Sequence, residues 1–336
     1  MEVFGNPEQW LPVVFAGLMG LSILIYVCLD GYDLGVGLLF PFADDAEKDK
    51  MVASIGPFWD ANETWLVLAV GLLLVAFPAA HGVILSGLYL PVALMLVGLI
   101  MRGVAFEFRA KATPRHKPAW NVAFWAGSLV TALAQGYMLG VYIMGLEMTL
   151  PVHVFASVTA VSLTLGYAFI GATWLILKTG GGLQRKAIFW ARQSLWGVVL
   201  GLGVVSVASP LVSPRIFEKW FAVPEFFLLL PLPAMSLGLI ALLWVFLRHL
   251  PRPDDSFAWV PFVAAITLFA LGFFGMAYSF YPYVVPEQLT IYEAASAPES
   301  LFIILIGTLF VLPMILGYSA LAFFVFRGKA TDLRYD

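Results

Sequence analysis

Leu66-Val67-Leu68-Ala69-Val70-Gly71-Leu72-Leu73-Leu74-Val75-Ala76-Phe77 decides the fold. The run carries no charge and is apolar on both faces, so neither the two-residue period of a strand nor the 3.6-residue period of a surface helix divides it into wet and dry sides. A membrane β-barrel strand would alternate apolar and polar residues over about ten positions, which this stretch does not do. It reads as the middle of a helix crossing about 30 Å of hydrocarbon at a rise of about 1.5 Å per residue, with every backbone polar group satisfied inside the helix.

Runs of the same kind recur from end to end, at approximately 11–42, 52–77, 80–108, 120–146, 151–178, 187–208, 226–249, 258–281 and 299–326. The expectation is an all-α polytopic membrane protein of about nine transmembrane helices, with residues 1–336 forming a single transmembrane domain. Composition agrees: 61% of the residues are hydrophobic and 12% are charged, roughly half the charged share of a soluble domain. The first residues, Met1 to Gln9, are acidic rather than basic and the first apolar run is too long for a signal-peptide core, so helix 1 is expected to remain in the mature protein. Cys28 is the only cysteine, which excludes an intrachain disulfide framework or a four-cysteine metal cluster. A net charge of −3 gives no sign of a nucleic-acid partner.

Basic residues in short loops mark the cytoplasmic side. Lys48, Lys50, Arg109, Lys111, Arg115, Lys117, Lys178, Arg185, Lys186, Arg192, Arg248, Arg252, Arg327, Lys329 and Arg334 all fall on one side, against Arg215 and Lys219 on the other. The N-terminus is therefore expected to be periplasmic and the C-terminus cytoplasmic. Loops are too short for a soluble domain, so function must lie in the membrane or at its edges. The longest connection, Tyr281 to Pro298, carries Pro282, Pro286, Glu287, Glu293 and Pro298 and reads as a plain loop, or else as a lid or docking surface.

An ionised side chain at mid-bilayer costs about 2.5–3.5 kcal/mol on insertion scales, so charges that persist there face protein, water or a partner. Helix 1 keeps Asp30 and Asp33 in Leu29-Asp30-Gly31-Tyr32-Asp33-Leu34-Gly35-Val36-Gly37. Helix 2 keeps Asp60 and Glu63 in Trp59-Asp60-Ala61-Asn62-Glu63-Thr64-Trp65, and helix 3 keeps Arg102 and Glu107 in Arg102-Gly103-Val104-Ala105-Phe106-Glu107-Phe108-Arg109. Residues three apart share a helix face, so Asp30 with Asp33 and Asp60 with Glu63 form local acidic patches. Counting rise from the helix ends puts Asp30 about 28 Å below the start of helix 1, Asp60 about 12 Å into helix 2 and Arg102 about 10 Å from the cytoplasmic end of helix 3. All fall in the cytoplasmic third of the membrane.

Arg102 can clamp one or two carboxylates, and Arg109 can reach back towards Glu107 by snorkelling. Five acids against one arginine still leave at least two uncompensated, and these must be protonated or hydrated because a bare buried carboxylate is too costly. Such groups can take up and pass on protons. Asn62, Thr64 and Trp59 add polar partners beside Asp60. Glycines 31, 35 and 37 let another helix approach helix 1 closely. His81, His116, His153 and His249 all lie at helix ends or in loops, so no haem is expected on this chain alone. Gly180-Gly181-Gly182 lacks the flanking residues of a nucleotide-binding loop.

The three quoted segments resemble the signature segments of subunit II of the cytochrome bd-type quinol oxidases, a group that includes the cyanide-insensitive oxidases. The motifs cover helices 1 to 3 in the family's order and spacing; helix count, loop pattern and the Tyr281-Pro282-Tyr283 segment match in the remainder. The resemblance implies two four-helix bundles plus one further helix, in a bacterial inner-membrane heterodimer whose subunit I holds haem b and haem d and oxidises quinol. It implies that subunit II binds no haem and supplies a cytoplasmic proton route for reduction of O₂ to water. By motif position Trp59 and Asp60 correspond to the route's entrance, with Glu63, Asp30 and Asp33 following, and Arg102, Glu107 and Asn62 to a structural polar core. A structural ubiquinone on this subunit, a small accessory single-helix subunit, and lipid and quinone contacts complete the implied set. A stand-alone proton-coupled secondary transporter is the alternative that clustered membrane carboxylates also suit.

Overall fold

The structure, a computed structural model, describes residues 6–330. The acidic extreme N-terminus before Asn6, and Arg334 of the basic count, lie outside the described residues. Among the described residues nine helices are long and apolar enough to cross a membrane.

In chain order the helices are α1 (Pro7–Leu39), α2 (Asp45–Ile55), α3 (Trp59–Ala76), α4 (Pro78–Lys111), α5 (Lys117–Ile143), α6 (Leu150–Lys178), α7 (Gly181–Val212), α8 (Pro214–Phe221), α9 (Glu225–Leu229), α10 (Pro231–His249), α11 (Val260–Phe280), α12 (Ile291–Ala294) and α13 (Pro298–Val325). A two-strand hairpin, β1 (Tyr283–Val285) with β2 (Leu289–Thr290), precedes α12. The stretch read as one helix over 52–77 is in fact two: Gly56-Pro57-Phe58 separates α2 from α3, because proline lacks the amide hydrogen needed to continue the ladder. Asp44 and Glu47 then form a reciprocal capping box at the start of α2, at 2.9 and 3.0 Å. The run over 226–249 is likewise broken into α9 and α10 at Leu230, just before Pro231.

α1 is the hub. It packs on α3, α5 and α6, while α6 also packs on α5, α7 and α11, and α10 packs on α7 and α11. α6 is the most buried span and α13, resting on α1 and α3, the most exposed. The α1–α6 contact is backbone to backbone: a Cβ on Gly35 would lie 1.8 Å from the Tyr167 carbonyl oxygen, and one on Gly171 2.4 Å from the Gly35 carbonyl carbon. Beside it Tyr32 stacks on Trp174 with ring centroids 4.2 Å apart.

Two groups of contacts fix the ends of the bundle. On the side rich in lysine and arginine, Lys178 at the end of α6 donates to the Phe326 and Gly328 carbonyls beyond α13. Lys329 returns the contact to Ile176 and Thr179 at the end of α6 and pairs with Asp255. Each lysine thus satisfies carbonyls that a helix C-terminus leaves without an internal partner. On the opposite side, 281–298 is a folded cap and not a plain loop. Thr290 and Glu293 make a second capping box, Ser296 holds the Val75 and Ala76 carbonyls at the end of α3, Gln288 reaches Gly145, and Arg215 pairs with Glu287 at 3.0 Å.

A clasp on the basic side links α2, α4 and α5. Asp49 accepts from Arg109 at 2.7 Å and Lys117 at 3.0 Å, and Arg109, itself buried, also donates to Asn121 at 2.6 Å. Burial pushes the Asp49 carboxyl up, but the hydrogen bonds from Lys117 and Arg109 outweigh it and hold it below the ordinary carboxylate range. A depressed carboxyl stabilises the fold above its unfolded pKa, about 4, and that contribution is lost as pH falls through its lower folded value. Asp49→Asn should therefore lower the melting temperature of the detergent-solubilised protein at neutral pH by more than it does at an acidic pH below the unfolded value of about 4. An equal drop at both pH values would show that the ion pairing is not what matters.

Candidate functional site

The motif segments meet around one buried arginine. Asp30 on α1 and Arg102 on α4 each lie nine residues from the basic-side ends of their helices, so they share a depth of about 14 Å. Arg102 Nη1 stands 2.7 Å from Asp30 Oδ1 and 3.5 Å from Glu63 Oε1. Arg102 and Asp30 are both sealed from solvent, whereas the Glu63 side chain is 30% exposed. The Arg102–Asp30 contact is a close ion pair set off the hydrogen-bonding axis, and among the described residues neither side chain's facing atoms make an aligned hydrogen bond.

Asp33, also fully buried, is fixed differently. Asn62, one helix away on α3, donates from Nδ2 to Asp33 Oδ2 and to Tyr32 Oη, each at 2.8 Å. One amide thereby ties α3 to two residues of α1. The second carboxylate oxygen of Asp33 and Oε1 of Glu63 are buried without an aligned hydrogen bond in this chain. Three carboxyls thus surround one guanidinium, a surplus of acceptors over charge that suits proton uptake.

Structure and expectation part at three residues. Asp60 is exposed and sits in the first turn of α3, not deep in a longer helix, because the break at Gly56-Pro57-Phe58 starts the span at Trp59. The partial positive charge of a helix N-terminus favours a carboxylate there. Glu107 faces outward and takes no part in the polar core. Arg109 turns to Asp49 and Asn121 instead of Glu107, since residues two apart point to opposite sides of a helix. Trp59 is half-buried against Phe106, with ring centroids 4.9 Å apart, and so borders the cluster without bonding to it.

The glycines do what their spacing suggested, with two different partners. Gly31 and Gly35 face Tyr167 and Gly171 of α6, and Gly37 faces Ser128 and Phe124 of α5. Three polar residues that sequence reasoning passed over join the site: Tyr26, Gln135 and Tyr167. Tyr26 lies one helical turn from Asp30, and Gln135 is an uncharged amide inside a predicted span; either could have flagged them.

His153 Nδ1 is engaged by Tyr137 at 2.5 Å, His249 Nδ1 by the Val245 carbonyl at 2.7 Å and His116 Nδ1 by Thr113 at 2.9 Å, each near a helix end. Among the described residues no three His, Cys, Asp or Glu side chains group as metal ligands.

Fold and site together define a multi-pass membrane protein with an ionic cluster enclosed by α1, α3 and α4. Residues 11–326 match the family Cytochrome bd terminal oxidase subunit II, and the chain belongs to that family. It is 28% identical to cytochrome bd ubiquinol oxidase subunit 2 of Bacillus subtilis (strain 168), covering 94% of this chain and 95% of the relative. It is 26% identical to cytochrome bd-I ubiquinol oxidase subunit 2 of Escherichia coli (strain K12), covering 94% and 93%. Among solved structures, the bd oxidase from Geobacillus thermodenitrificans matches with a TM-score of 0.65 over 94% of this chain and 98% of that one, at 10% identity, which speaks for the fold alone. Family membership does not favour a stand-alone transporter.

Proposed function

We propose that this chain supports a haem-bearing subunit I and supplies it with protons from the cytoplasm, for reduction of O₂ to water coupled to quinol oxidation. Haem b and haem d belong, in this reading, to the partner. The basic side is cytoplasmic, with the N-terminus periplasmic and the C-terminus cytoplasmic. One observation carries the proposal: the buried Asp30–Asp33–Arg102 cluster opens towards the basic side through the part-exposed Glu63, one turn from the exposed Asp60.

In the proposed route Asp60 collects a proton at the start of α3 and Glu63 receives it on the same helix face. Arg102 carries no proton itself; it holds Asp30 and Glu63 together so that a proton on one carboxylate is felt by the others. Asn62 keeps Asp33 from swinging towards Arg102 and closing the cluster as a neutral clamp. Exposure supports one position for the partner. Asp60, Glu63 and Glu107 open towards the surface of α3 and α4, and lipid is a poor neighbour for carboxylates, which favours subunit I against α3, α4 and the largely uncovered α13. A structural ubiquinone, lipid and a single-helix accessory subunit are further proposed partners that the family resemblance suggests.

Asp60→Asn tests the route. In an assembled complex with normal haem spectrum, quinol oxidase turnover should fall by about a hundredfold, the lower end of what a positioned proton-transferring group contributes. Full turnover in that complex would remove Asp60 from the route. Loss of assembly with normal turnover per assembled complex would make the acids structural.

A further inference from the structure

α3 starts without a side-chain cap. Its N-cap residue is Phe58, which can offer no hydrogen bond to the first-turn amides that a helix leaves open. α2, just before it, has the capping box of Asp44 and Glu47. A helix end frays unless something holds it, and Asp60 lies in this first turn.

Packing holds it instead, and the packing comes from the far end of the chain. Phe58, 2% exposed, stacks on Phe323 of α13 with ring centroids 4.7 Å apart and meets Phe326 edge-on at 6.1 Å. It also meets Trp174 of α6 edge-on at 5.5 Å. Trp174 donates from Nε1 to the Ser54 carbonyl at 3.3 Å, and so grips α2 on the other side of the Gly56-Pro57-Phe58 break. The Phe58 carbonyl accepts from the Asn62 amide at 3.0 Å, and the Asn62 side chain holds Asp33 and Tyr32. Any shift of Phe58 is therefore passed on to Asp60 and to Asn62.

Lys178 fastens this arrangement. Its ammonium lies 5.3 Å from the ring centroids of both Phe58 and Trp174, and it donates to the Phe326 carbonyl and, at 2.7 Å, to that of Gly328. The Ala330 amide returns a bond to the Lys178 carbonyl at 2.7 Å, which closes the tail onto the end of α6. Lys178 is 4% exposed, and its partners are carbonyls and ring faces. Those are the groups that keep an ammonium in place where no carboxylate is at hand.

We propose that Lys178 is a positioning residue for the proton entrance: with the 323–328 segment it fastens, it clamps Phe58, and Phe58 sets where the first turn of α3 presents Asp60. The inference rests on the proton-route reading for its effect on turnover, while its geometric part can be measured separately.

The test uses the whole complex with its haem-bearing partner. Lys178→Met keeps an unbranched side chain and removes its donors; Phe326→Ala removes a ring at the half-exposed end of the tail. Amides 62–65 bond to carbonyls 58–61 in the first turn of α3. Their hydrogen exchange, read by mass spectrometry, should quicken in both variants, with no change at 72–76, the end of α3 that Ser296 holds. Turnover should fall several-fold in each variant. It should fall no further when the same change is made in an Asp60→Asn complex, because residues that act through one another are not additive. Where turnover depends on Asp60, unchanged turnover, an equal fold loss with and without Asp60, or unchanged exchange at 62–65 would each overturn the proposal. Should Lys178→Met not assemble, Phe326→Ala decides. If Asp60→Asn alone keeps full turnover while exchange at 62–65 still quickens in Lys178→Met, the proton route fails and the clamp on α3 stands.

Discussion

Arg102→Met is expected to be the most damaging single change at the site: the variant complex should lose about 3–5 kcal/mol of apparent stability and accumulate poorly in the membrane. Arg102 is 1% exposed and stands 2.7 Å from a fully buried Asp30. Methionine fills much of the same volume, so the loss is electrostatic and not a cavity effect. What remains is Asp30 facing Asp33 and Glu63 with no cation between them, the uncompensated buried charge that proteins tolerate least. Two further variants separate charge from shape. Arg102→Lys keeps the charge but not the rigid guanidinium whose Nη1 faces both Asp30 and Glu63, and should fall between wild type and methionine. Arg102→Met/Asp30→Leu removes both partners and should recover part of the loss, because replacing a whole buried pair costs less than breaking it. Thermal inactivation of the detergent-solubilised complex measures all three. A methionine variant as stable as the wild type would mean that Arg102 is not the countercharge of the cluster.

The spans were legible because each is an uninterrupted apolar run, and membrane helices satisfy their own backbone whatever surrounds them. What the runs concealed were interruptions within them. Gly56-Pro57 is visible in the sequence, yet the short polar α2 before it joins the apolar run behind it, which hides that the span starts at Trp59 and that Asp60 lies in its first turn. The charged residues were legible too, since their presence in a span is a signal by itself. Their pairing was only partly so. Spacing along one helix predicts Asp30 beside Asp33, but Glu107 and Arg109, two apart, were paired against helix geometry and the structure sends them to opposite sides. Thr290 and Glu293 carry a capping-box spacing in plain view. Tyr26, Gln135 and Tyr167 are different. Their meeting depends on three helices, with Tyr26 and Gln135 109 residues apart and Gln135 and Tyr167 32 apart, and no periodicity within one helix reports it.

The glycines allow the converse test, in which a single methyl group should undo long-range geometry. Gly35→Ala is expected to cost about 1–3 kcal/mol or more, the range for overpacking a filled interior, since its Cβ would fall 1.8 Å from a backbone oxygen and 2.9 Å from Gly171 Cα. A rotamer change cannot relieve a clash with backbone, so α1 and α6 must separate. Tyr167, whose carbonyl is the atom struck, then moves away from Gln135, and the hydrogen bonds behind Asp30 go with it. Gly37→Ala meets the Ser128 hydroxyl at 2.1 Å, which can turn away, and Ser128 Cβ at 2.7 Å, which cannot, so it should be costly but milder than the collision with backbone at Gly35. Gly17→Ala, on the same helix with no atom within 4 Å of its Cβ, serves as the control and should be neutral or slightly stabilising. Ranked thermal stability of the three variants, with Gly35→Ala lowest and also slowest in turnover, would tie the close approach of α1 and α6 to the geometry of the acid cluster. If Gly35→Ala matched Gly17→Ala in both measurements, the backbone contact would not be what sets that geometry, and Tyr167 would have to be held in place by Gln135 alone.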